Sequence, residues 1–89
     1  MNPFLEIFDP TISLLNEKNI VYKIDSSSIL APSLTFNYQN SNYRIQLELR
    51  DSLECTIYEN TLITNTIPIY KKVDIKIRDH FKMIIHERN

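Results

Sequence analysis

The chain of 89 residues contains no glycine at all. Average usage is about 7%, so roughly six glycines are missing. Several kinds of site need that residue, because a side chain blocks positive φ or the close approach of backbone to phosphate. Phosphate-cradling loops, dinucleotide-binding turns and the nucleophile elbow of hydrolases therefore lose their usual construction. Turns are expected to use Asn, Asp and Ser instead. Cysteine is nearly missing too: Cys55 stands alone and cannot form an internal disulfide. Small secreted domains usually carry several bridges, which favours the cytoplasm. No apolar run approaches the ~18 residues of a membrane span, and no basic region followed by an apolar core marks a secretory signal.

What remains is the composition of an ordinary globular protein, 43% hydrophobic and 24% charged. The length suits one domain over residues 1–89. The formal net charge of −1 hides an uneven distribution. Residues 1–68 carry four basic side chains against eight acidic ones, whereas residues 69–89 carry six against three. Such polarity orients an encounter with a charged partner.

Residues 2–18 read as helical in two pieces, with Asn2 and Asp9 as caps before Pro3 and Pro10. Pro10 cannot donate to a carbonyl four residues back, so a continuous helix would break there. Asn19 suits a left-handed terminator in place of glycine. Ile20–Asp25 alternates as a strand, and the serines at 26–28 read as a loop that satisfies its own backbone.

Residues 34–57 alternate through three strands. Leu34, Phe36 and Tyr38 share a face, as do Tyr43, Ile45, Leu47 and Leu49. A loop at Gln39–Asn42 would set Phe36 opposite Ile45 and Leu34 opposite Leu47. A loop at Arg50–Ser52 would set Leu49 opposite Leu53 and Leu47 opposite Cys55. A turn at Glu59–Asn60 would set Leu62 opposite Ile57. All three registers keep one apolar face, which specifies an antiparallel meander.

The segment from Pro68 to Arg88 has two readings. At 100° per residue, Ile69, Tyr70, Val73, Ile77, Phe81 and Ile84 gather on one side, with Thr66 and Pro68 as a start signal. This helical reading is favoured. The alternative is a strand through Ile77 followed by a short helix from Asp79, since the β-branched residues weaken helix propensity. The fold class that follows is α+β: a two-layer domain with an antiparallel meander of four to five strands, covered on one face by an N-terminal and a C-terminal helix.

Chemistry has few candidates. His80 and His86 stand six positions apart, about 240° on a helix, so one helix face cannot present both to a metal. Cys55 alternates inward and behaves as a small buried hydrophobe. Glu48 and Glu54 fall near each other on the polar sheet face, where water keeps carboxylates ordinary. The expectation is a non-enzymatic chain without metal or cofactor.

The order helix, antiparallel strands, helix, with Lys71 and Lys72 opening the last helix, resembles a double-stranded RNA-binding domain. That resemblance implies phosphate contacts from the two lysines. Extra strands, glycine-free loops and a net charge short of the usual basic footprint depart from the family. The favoured function is a protein-binding module, an inhibitor or adaptor that occupies a partner's surface. Arg44, Arg50 and Tyr58 belong to the residue types that concentrate binding energy. With Glu48, Lys71 and Lys72 they form the candidate contact set. Small, glycine-poor chains without an active site resemble in style the inhibitors that phages and mobile elements direct at host defences. A second route is edge pairing, in which a strand such as Ile20–Asp25 joins a partner's sheet or a second copy.

Overall fold

In the computed structural model, residues 3–27, 31–49, 51–70 and 72–87 are described. A 3-10 helix over Pro3–Phe8 leads into helix α1 (Asp9–Glu17). Five strands follow: β1 (Tyr22–Asp25), β2 (Ser33–Tyr38), β3 (Ser41–Leu49), β4 (Leu53–Glu59) and β5 (Leu62–Pro68). Helix α2 (Val73–Glu87) closes the chain. The strands pair antiparallel in sequence order, so the sheet is a meander with β1 and β5 at its edges. The α+β architecture read from the sequence is the one observed.

One face of the sheet carries the core. Leu34, Phe36, Tyr43, Ile45, Leu47, Cys55 and Ile57 point inward and are buried, packed by Phe8, Leu14 and Leu15 from the N-terminal segment. From α2, Val73, Ile77, Phe81 and Ile85 recur every four residues on the buried side, the spacing that gathers side chains on one helix face. Phe36, Tyr43 and Phe81 form an aromatic triad with centroids 5.1 to 5.6 Å apart. The Tyr38 hydroxyl donates to the Ile85 carbonyl at 3.2 Å, satisfying one of the acceptors that a helix C-terminus leaves open.

Turns without glycine are made chiefly by amides. Among the described residues positive φ falls at Asn19, Gln39, Asn40, Asn60 and Lys72, three of them the Asn expected at turns, and Asp51 and Ser52 form the bend between β3 and β4. Asn tolerates this region because its short polar side chain bonds locally. Gln39 and Asn40, with φ of 48° and 68°, form a two-residue loop of the primed type whose twist suits a hairpin. That loop is shorter than the four-residue one expected. Leu34 consequently pairs with Ile45 and Phe36 with Tyr43, two positions from the expected register. The β3–β4 register is as expected, with Leu47 opposite Cys55 and Leu49 opposite Leu53.

The β4–β5 turn differs as well. Leu62 pairs with Glu59 rather than Ile57, and a bulge between Ile57 and Tyr58 shifts the ladder. Leu62 is thereby 71% exposed, and Leu49, the last residue of β3, is 76% exposed. Thr66 and Pro68 belong to β5 and do not start a helix. The Ile69 amide still donates to the Leu53 carbonyl, so pairing with β4 continues one residue beyond Pro68. Pro68 is tolerated because an edge strand has no further neighbour to serve. Residues 73–78 are helical and Tyr70 and Lys72 belong to no helix or strand, which decides between the two readings of this segment. At the other end, Asp9 makes no side-chain cap. It is the first residue of α1, behind Phe8 at the cap position.

No helix among the described residues is long and apolar enough to cross a membrane.

Candidate functional site

The helices cover only one face of the sheet. The other face is built from the alternate residues of each strand, and the registers align these into rows. One row crosses all five strands as Lys23, Thr35, Arg44, Tyr58 and Ile63. The next contains Gln46, Thr56 and Thr66, and a third pairs Glu48 with Glu54. Beyond the cationic row lies an amide corner, where the Asn42 side chain donates to Asn37 Oδ1 at 3.1 Å and its backbone N–H to Asn60 Oδ1 at 3.1 Å.

Three of the expected contact residues meet on this face. The Arg44 guanidinium stacks on the Tyr58 ring, with its central carbon 4.3 Å from the centroid. Tyr58 in turn donates its hydroxyl to Glu48 Oε1 at 2.6 Å. The hydrogen bond to Glu48 raises the Tyr58 pKa above its ordinary value, with burial and the Glu48 charge acting in the same direction and Arg44 opposing them. Tyr58 therefore remains a neutral donor. Because Glu48 lies two rows from Tyr58, the ring leans across the middle row, and Thr56 beneath is fully buried.

The other expected residues fall elsewhere. Arg50 and Lys71 lie outside the described residues. Lys72 is exposed and occupies a left-handed turn immediately before α2, in the helix layer and not within the helix. It is therefore not part of the Arg44 cluster. Lys23, which shares a row with Arg44, was missing from the expected set. Only the β1–β2 register reveals it, because alternation within β1 gives a face but no neighbour.

Groups with catalytic potential are held in packing roles. Cys55 is fully buried on the core side, and burial pushes its thiol up to about 12. His80 sits half-buried with its ring edge-on to Phe81 at 5.0 Å. Among the described residues no group of three His, Cys, Asp or Glu converges as a metal site. The concavities are open depressions. One of about 630 Å³ lies where β1 diverges from β2, lined by Val21, Lys23, Asn37 and Asn42 among others. A second of about 430 Å³ lies between the helices beside Glu17, Arg78 and Lys82.

His80 provides a pH test of the packing. Desolvation lowers its pKa below 6.5, against a smaller upward pull from Glu59. A histidine held neutral in the fold binds fewer protons than in the unfolded chain. Its stabilisation is therefore present above pH about 6.5 and declines as pH falls below that value. The urea midpoint is expected to drop between pH 7.5 and pH 5, and to drop less in His80→Gln. Parallel profiles for the two proteins would refute this.

Comparison of the chain with protein-family models, with curated proteins and with solved structures finds no match in any of the three.

Proposed function

We propose that this protein is a non-enzymatic binding module, an inhibitor or adaptor, that acts by laying its open sheet face on a protein partner. The observation that carries this reading is the Arg44–Tyr58–Glu48 cluster, assembled on an uncovered face by a cation–π stack and a hydrogen bond. Arginine and tyrosine supply a large share of binding energy at interfaces. Holding them in place beforehand removes part of the ordering cost of association. A cytoplasmic target, of the kind that phage and mobile-element inhibitors block, fits the same chemistry.

Duplex RNA is the alternative. It would have to engage Lys71 and Lys72, because the carboxylates of Glu48 and Glu54 repel a polyanion from the open face. The two readings separate cleanly in experiment. Recovery of a partner from the native host is expected to fall at least about 30-fold when Arg44, Arg50 and Tyr58 are all replaced by alanine, the equivalent of roughly 2 kcal/mol. Equal recovery with both proteins would exclude the face. A duplex-RNA complex that weakens steeply with salt and with Lys71/Lys72 replacement would instead establish nucleic-acid binding.

A further inference from the structure

The charges on the open face are arranged antisymmetrically about a neutral line. On β3 the outward residues run Arg44, Gln46, Glu48, and on β4 their partners run Tyr58, Thr56, Glu54. Thr66 of β5 continues the middle row. Rows two residues apart on a strand are separated by about 7 Å. A two-fold axis lying along the middle row therefore exchanges the outer rows. It brings Arg44 of one copy over Glu48 of the other, a contact that occurs twice, and sets the two Tyr58 rings, which lean across the middle row, against each other at the axis. Gln46 and Thr66 meet their own counterparts without charge, while Thr56 stays covered by Tyr58. From this geometry we propose that the protein self-associates face to face through the open sheet, forming a two-fold dimer that covers the cluster described above.

A symmetric dimer requires one patch to complement itself, and a row of acid beside a row of base satisfies that condition. Asp25, on the middle row at β1, is the exception, and it meets its counterpart at the solvated rim. The sheet edges are less suited to the same task. β1 is four residues long and carries Lys23 and Asp25, while β5 is interrupted by a bulge and ends in Pro68. Charges, bulges and prolines are the devices that keep edges from pairing.

Five strands about 4.8 Å apart and some six residues long offer roughly 500 Å² per copy, so the dimer buries about 1,000 Å² in total. That is the lower limit for a specific interface. The dimer is accordingly weak, reversible and sensitive to salt. It rests on the reading of the open face as a docking surface, and it would regulate that surface, because a partner must first displace the second copy.

Sedimentation of the purified chain tests this without any partner. At about 20 mM salt the average mass is expected to rise toward that of a dimer with concentration, and at about 500 mM salt it is expected to stay monomeric. Arg44→Glu and Glu48→Arg should each weaken association at least tenfold, since each places like charges opposite one another. An equimolar mixture of these two variants should associate at least as tightly as the wild type, because both contacts between positions 44 and 48 are then complementary. Lys82→Glu alone, which has the same net charge as Arg44→Glu but alters the helix side, should associate as the wild type does. A monomer at every low-salt concentration would overturn the dimer. So would association unchanged in both Arg44→Glu and Glu48→Arg, or a mixture no tighter than its components. A monomeric wild type combined with loss of partner recovery in the alanine variant would remove the dimer and leave the partner reading in place.

Discussion

Phe81→Ala is expected to remove about 3–5 kcal/mol from the stability of the fold. Phe81 has no exposed surface and stands edge-on to Phe36 and Tyr43, at 5.1 and 5.6 Å. Truncating a buried phenylalanine costs about 3–5 kcal/mol, the lost transfer energy plus the cavity left behind. A chain of this size has a total stability of only about 4–13 kcal/mol. Phe81 also joins the two layers of the fold, so neighbours on the sheet cannot easily move to fill the gap. They are fixed by strand register, whereas the opposing surface belongs to a helix. Phe81→Leu keeps most of the volume and should cost less than about 1.5 kcal/mol. Met83→Ala, two positions away on the same helix but 64% exposed, should change stability by no more than about 0.5 kcal/mol. Urea unfolding followed by circular dichroism reads all three. Equal midpoints for Phe81→Ala and Met83→Ala would mean that α2 does not close the core.

That helix also shows where a sequence speaks and where it does not. Val73, Ile77 and Phe81 lie on its apolar stripe in sequence and in structure alike, because a 3.6-residue period does not depend on what the helix touches. Its start was misplaced because Thr66 and Pro68 carry the marks of a helix entrance and also suit an edge strand. The ladder with β4 decides between them, and that ladder is a tertiary fact. The hairpins behave similarly. Side chains alternate with period two, so the two-position error at β2–β3 left Leu34 and Phe36 on the correct face. Their neighbours depended on Gln39 and Asn40 both adopting positive φ, which a glycine would have signalled and these residues do not. The same distinction governs the candidate site. Arg44, Glu48 and Tyr58 could be assigned to the outward face from alternation alone. Their assembly into one cluster required the β3–β4 register together with side-chain directions, and the hydrogen bond from Tyr58 to Glu48 spans two rows that no linear spacing connects.

Cys55 should be the slowest thiol a chain of this size can offer. Only the thiolate reacts with disulfide and alkylating reagents. With its pKa pushed up to about 12 by burial, about one molecule in ten thousand carries the thiolate at pH 8, against roughly a quarter for an ordinary cysteine of pKa ~8.5. The chemistry alone predicts labelling slowed by some three orders of magnitude relative to the unfolded chain. The fully buried sulfur adds a steric barrier, because a reagent must wait for the sheet and α2 to separate. Labelling in native buffer therefore reports the opening of the core, and its rate should follow the population of open molecules. Titration with a chromogenic disulfide is expected to show almost no reaction in buffer and one full equivalent in urea. In Phe81→Ala, the reaction should become fast without denaturant. Rapid labelling of the wild type would place Cys55 at the surface, and the inward face of β4 would have to be reassigned. Slow labelling in both wild type and Phe81→Ala would show that the core around Cys55 stays closed without the aromatic triad, and the stability effect argued for Phe81 would fall with it.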